Sequence, residues 1–123
     1  MIFQEDFFMR QIEQTARVVG QFIFGKESLT YEIFDEENLS QTDVLSLNIE
    51  NLIKAGKISD AQEMLTNNLD YNNIDDLVLA LNFYQTLNKI SDKTLEKYGT
   101  NREELYDSMK SILRRYNVAE ELL

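Results

Sequence analysis

An all-α fold of five to six helices is predicted for this 123-residue chain, and three observations predict it. From Leu45 to Leu69, apolar residues recur at spacings of three and four, the period of one helix face. The chain has no proline and four glycines, and three of those, Gly25, Gly56 and Gly99, fall where periodic runs stop. Strand-like alternation is confined to one short stretch, Leu29, Tyr31 and Ile33. A 43% hydrophobic fraction supports a real core, and a domain of this length buries about two thirds of the surface its unfolded chain exposes.

The opening helix spans residues 1–26. Phe8, Ile12, Ala16, Val19, Phe22 and Ile23 form one wide apolar stripe, while Phe3, Phe7 and Val18 fall on another side. Gly25 ends the helix. A helix apolar on two sides has more apolar surface than one small core covers. Three placements fit: burial in its own domain, packing against another copy or a partner chain, and lying on a membrane surface. The third fits least, because surface helices are rich in Lys and Arg and this one is neutral. Phe3, Phe7, Phe8 and Val18 are the candidate partner contacts.

Residues 27–40 form an acidic connector, with one helical turn expected around Phe34. Glu32, Asp35, Glu36 and Glu37 lack both the alternating oxygen spacing and the glycine of a calcium loop, so no metal site is expected. Residues 41–123 form a helical-hairpin domain, and the three segments make one structural domain.

In the first hairpin helix Leu45, Ile49, Leu52 and Ile53 share a face. Gly56 supplies the left-handed turn residue. Ser59 with Gln62 is expected to cap the second helix, whose inner face carries Ala61, Leu65 and Leu69. The run Gly56-x-Ile58-x-x-Ala61-x-x-x-Leu65-x-x-x-Leu69 resembles the middle of a tetratricopeptide repeat. That resemblance implies antiparallel hairpins packed in a tetratricopeptide-like manner behind the N-terminal helical arm. The same residues also fit a plain αα-hairpin: Asn48 or Ile49 stands where the repeat has a small residue, and no second copy follows about 34 residues on.

Asp70-Tyr-Asn-Asn73 is turn chemistry, and Asn73 is expected to cap the next helix, with Asp75 and Asp76 in its first turn. Ile74, Leu77, Val78, Ala80, Leu81, Tyr84 and Leu87 make that helix apolar around most of its circumference, which places it at the core centre. Ser91 caps a short helix with Leu95 and Tyr98, stopped by Gly99. Thr100 with Glu103 is expected to open the last helix, striped by Leu105, Met109, Ile112, Leu113 and Tyr116. Lys110, Arg114 and Arg115 read as ordinary helix-end cations, and the tail from Val118 to Leu123 either docks or frays.

The opening Ile2-Phe3-Gln4-Glu5-Asp6-Phe7, Met9-Arg10-Gln11-Ile12-Glu13 and Phe24-Gly25-Lys26, with the later segment Leu52 to Ala61, resembles a family of small uncharacterised bacterial proteins, mostly from Firmicutes. The resemblance implies a helical cytoplasmic protein and brings no activity with it.

Net charge is −10, and all of it lies in the middle: residues 27–88 hold twelve acids against Lys54 and Lys57, while the flanking segments balance. Nucleic acid is therefore not an expected ligand, since phosphates need clustered Lys and Arg. No run of eighteen uncharged apolar residues is present, so no membrane insertion is expected. Glu5 and Asp6 stand where a signal peptide is basic, so a cytoplasmic location is expected. The chain has no histidine, cysteine or tryptophan, which removes the commonest general base, thiol nucleophile and zinc ligands. No enzyme activity, cofactor or metal is expected. The composition points to a protein–protein interaction module, an adaptor or small regulatory subunit that pairs with a partner or with itself. The alternatives are a helical domain binding a small apolar or cationic ligand, and a peripheral membrane-surface protein.

Overall fold

The computed structural model describes residues 2–26 and 29–123, with side chains from residue 7 onward. It contains α1 (Ile2–Phe24), α2 (Gln41–Lys54), α3 (Ile58–Asn68), α4 (Ile74–Leu87), α5 (Asp92–Lys97), α6 (Arg102–Arg115) and a 3-10 turn, Glu120–Leu122. Among the described residues there is no strand. Over the described residues the fold is all-α with six helices.

Helix α4 touches α1, α2 and α6 and is the centre of the packing. Leu77, Leu79, Ala80, Leu81, Phe83, Tyr84 and Leu87 are all buried on it. Leu79 and Phe83 join the expected set, whereas Ile74, the first residue of the helix, is exposed although Asp76 and Leu77 in the same turn are buried. Asn73 caps α4 by accepting from the Asp75 N–H at 2.9 Å. Helices α4 and α6 are antiparallel: Arg102, at the start of α6, bonds the end of α4, and the Tyr116 hydroxyl at the end of α6 donates to the Asp70 carbonyl at 3.1 Å. Helix α1 lies along both with Ile12, Ala16 and Val19 fully buried, so the N-terminal arm contributes one face to the core. The tail docks too, with Leu122 and Leu123 half-buried against that core.

The α2–α3 hairpin closes at Gly56 with φ of +75°, a conformation that costs a side chain energy. Space adds a second reason, since a Cβ there would lie 2.8 Å from the Tyr98 hydroxyl at the end of α5. Helix α3 starts at Ile58 with no side-chain cap, so the expected Ser59 cap is not used. Energies account for this: a cap is worth about 1 kcal/mol, and burying an Ile about 1.5–3 kcal/mol. Ile58 is buried. Helix α2 has the stronger start. Ser40 and Asp43 form a reciprocal capping box, in which the Ser40 hydroxyl accepts from the Asp43 N–H and Asp43 accepts from the Ser40 N–H.

The expected Thr100–Glu103 box is displaced by one residue. Asn101, in extended backbone, accepts from the Glu104 N–H at 2.9 Å and starts α6 at Arg102. That register puts Arg102 in the interior, where only 2% of it is exposed. Its Nε donates to Asn88 Oδ1 at 3.3 Å. Its Nη2 donates to the carbonyls of Asn88 at 3.1 Å and Ile90 at 2.6 Å. Nη1 pairs with Asp92. Asn88 in turn donates to the Met9 carbonyl at 2.9 Å, so one guanidinium ties the end of α4, the following loop and α6 to α1.

Candidate interaction surface

Residues eleven apart on a helix lie about 20° from alignment after three turns, so Phe7 and Val18 share a line, and Phe22 stands one turn further. At about 1.5 Å per residue the line from Phe7 to Phe22 is about 22 Å long. Exposure is 49% at Phe7, 36% at Val18 and 73% at Phe22, with Ile23 beside them at 38%. Uncharged Gln11, Gln14 and Gln21 fill the positions between. Arg17, Val18, Gln21 and Phe22 line a shallow hollow at the C-terminal end.

The sequence places Phe22 and Ile23 on the core stripe, and the structure corrects this. A helical wheel gives an angle around the axis but not where the core ends along it. Full burial stops at Val19 and Gly20, and residues 21–23 are exposed, while Phe24, on another side of the same turn, still packs against the core. Gly20 marks the limit: a Cβ there would lie 2.9 Å from the Lys26 carbonyl, where the chain folds back over the helix. Phe8 faces inward, with its ring centre 6.0 Å from that of Tyr106 on α6, and supports Phe7 edge-on at 5.2 Å. Phe3 lies within α1, but its side chain is outside the described residues. Of the four candidate contacts, Phe7 and Val18 are therefore together on the open face. Phe22 joins them, although the sequence pattern assigned it to the core.

A second apolar projection lies in the connector. Residues 33–40 form no helical turn; instead Asp35 accepts from the Glu37 N–H at 3.0 Å and the Asn38 amide at 3.1 Å, making a tight Asx-type turn. Phe34 stands on that turn 91% exposed. The segment is pinned at its start, by the Asn82 amide donating to the Leu29 carbonyl at 3.3 Å and the Tyr31 hydroxyl donating to Asp43 at 2.6 Å, and at its end by the Ser40 N–H donating to the same Asp43 at 2.9 Å.

The Tyr31 hydrogen bond and the Ser40 N–H hold Asp43 below the usual carboxylate range. Burial, then the bond to Asp43, pushes the Tyr31 phenol up to about 12. Asp43 is the depressed case: its contribution is complete above its unfolded value near 3.9 and is lost as pH falls through the lower folded value. Tyr31 is the raised case: its contribution is complete below about 10 and is lost as pH climbs through about 12. The latch is thus at full strength between about pH 4 and 10. Urea midpoints measured against pH will show Tyr31→Phe less stable at neutrality and losing less on acidification than wild type. Parallel acid limbs would refute the coupling.

Other parts of the surface are engaged internally. Lys110 lies over the Tyr106 ring at 4.2 Å, Arg114 pairs with Glu120 at 2.8 Å, and Arg115 lies over Tyr71 at 4.2 Å, so the α6 cations form no converging phosphate cradle. A cleft of about 540 Å³ between α2 and α3 has Leu39, Val44, Leu45 and Met64 among its walls, with Asp70 and Asp76 at its edge. Both Asp76 oxygens already accept internal donors, the Thr42 hydroxyl and the Asp70 N–H, which fixes the start of α4 and leaves the cleft weakly equipped for a cation. Among the described residues no carboxylate group is arranged to hold a metal ion, and no helix is long and apolar enough to cross a membrane.

One family profile, described as "Family of unknown function (DUF6483)", matches residues 2–117. No curated protein and no solved structure matches the chain.

Proposed function

The chain belongs to this DUF6483 family, and we propose that it is a non-enzymatic protein–protein interaction module, an adaptor or small regulatory subunit, whose contact surface is the outward face of α1. The observation that carries the reading is the alignment of Phe7, Val18 and Phe22 in the open along a helix whose other face is in the core. Single exposed apolar residues need no explanation, but several on one helix flank, two of them aromatic and separated only by uncharged glutamines, are the usual mark of an interface. In this reading the α2–α3 hairpin, with Ala61 at the close crossing, is a tetratricopeptide-like support, the protein is bacterial and cytoplasmic, and catalysis has no part.

The test uses point variants, because removing residues 1–26 would also strip Ile12, Ala16 and Val19 from the core. Phe22→Glu is expected to leave the unfolding free energy within about 0.5 kcal/mol of wild type, as for other exposed sites. In affinity capture from lysate the same variant should lose the protein recovered by the wild-type chain. Identical recovery by wild type and the Phe7→Glu/Phe22→Glu double variant would remove α1 as the contact surface.

A further inference from the structure

We propose that the outward face of α1 is covered by the Phe34 loop of a second copy of this chain, which rests on the reading of α1 as a contact surface and names its occupant. Three observations support it. First, the two apolar features are both uncovered within one chain, Phe22 at 73% and Phe34 at 91% exposure. The loop is held to α4 and α2 before Phe34, through Leu29 and Tyr31, and to α2 after it, through the Ser40 N–H on Asp43, and Phe34 between them is exposed.

Second, their charges are complementary. Helix α1 as a whole is close to neutral, with Arg10 and Arg17 against Glu5, Asp6 and Glu13, but its C-terminal half around Val18 and Phe22 carries Arg17 and no acid. The loop from 29 to 40 carries Glu32, Asp35, Glu36 and Glu37 and no base. Arg17 itself lines the hollow beside Val18 and Phe22. An aromatic side chain inside an acidic collar fits an apolar hollow with a basic rim. Pairing α1 with α1 is disfavoured, because Arg10 and Arg17 lie on the same flank, and in an antiparallel pair they would face Arg17 and Arg10 of the partner.

Third, the loop is pre-organised. The Asp35 turn and the Tyr31–Asp43 bond fix its backbone before any contact is made, which lowers the entropy lost on association. If each chain gives its loop and receives its partner's, the contact is made twice and closes as a two-fold dimer.

The experiment is sedimentation equilibrium of the full chain over a concentration series. Wild type is expected to self-associate, more weakly as salt is added, because the paired charges lie at the surface. Phe34→Ala and Phe22→Glu should each raise the dissociation constant by more than about 10-fold, as loss of an aromatic anchor does. The decisive sample is the equimolar mixture of those two variants. One keeps an intact strip and the other an intact loop, so they should bind each other 1:1 and more tightly than either binds itself.

A wild-type chain that stays monomeric overturns the second copy as occupant; capture from lysate that still depends on Phe22 would leave the α1 reading standing. Association lost with Phe22→Glu but unchanged by Phe34→Ala overturns the loop in favour of α1–α1 pairing. Association unchanged by both variants overturns this proposal and also removes α1 as the self-contact. Circular dichroism of each variant shows that the fold is retained.

Discussion

Arg102→Ala is expected to destabilise the folded chain by about 3–5 kcal/mol, a large part of the roughly 5–15 kcal/mol available to a small domain. The loss comes less from the ion pair than from what the truncation leaves behind. The guanidinium is the donor to the carbonyls of Asn88 and Ile90 and to Asn88 Oδ1. Without it these acceptors face the interior unpaired, and each such group costs about 1–3 kcal/mol. Asp92, half in solvent, is the cheaper side of the pair to lose. Arg102→Lys should recover only part of the stability, because one ammonium cannot reach acceptors that need the planar fork. Urea unfolding checks this order: the midpoint falls with little change in slope for Arg102→Lys, further for Arg102→Ala, and least for Asp92→Asn. An Arg102→Ala chain within about 1 kcal/mol of wild type would show that the clamp is dispensable.

Leu81→Ala is the second large effect, at about 2–5 kcal/mol. Leu81 is fully buried on the helix that touches α1, α2 and α6, so surrounding elements cannot collapse into the space without losing other contacts. The upper half of that range is expected, since the cost grows with the cavity that remains. Calorimetry should show a midpoint lowered by roughly 10–20 °C for a domain of this size. Ile74→Ala, on the same helix but exposed, serves as the control and should change stability by no more than about 0.5 kcal/mol. Equal losses at the two positions would mean that α4 is not the centre of the core.

Features that depend on local chemistry were readable before the structure. Asn73 and Ser91 cap the helices they precede, and Gly25, Gly56 and Gly99 all take positive φ where helices stop. The predicted caps at Ser59 and Thr100 failed because a neighbour decided the matter: Ile58 gained burial by starting α3 early, and Asn101 competed with Thr100 for the start of α6. Cap chemistry shows which residues can start a helix, and the packing chooses among them.

The candidate surface was half legible. Phe7 and Val18 fall off the core stripe by angle alone, and both are exposed. Phe22 falls on the stripe by angle and is more exposed than either, because no element covers that side of the last turn, although Phe24 in the same turn packs on the core. Phe34 gave no signal, since a phenylalanine among acids reads the same whether its ring is buried or displayed. Arg102 gave none either. Two of its acceptors are backbone carbonyls twelve and fourteen residues away, which every residue type carries, and Asn88 and Asp92 are no different in sequence from other polar residues at helix ends.

The sequence by itself determined that this chain is helical, where its turns fall and which helix is most apolar, because the spacing of side chains, positive φ and capping act over a few residues. The tertiary structure alone decided where the core ends along α1, that Arg102 is inside, and that Phe34 and Phe22 are left outside. Those outcomes depend on which elements cover one another, and burial is set by neighbours distant in the chain.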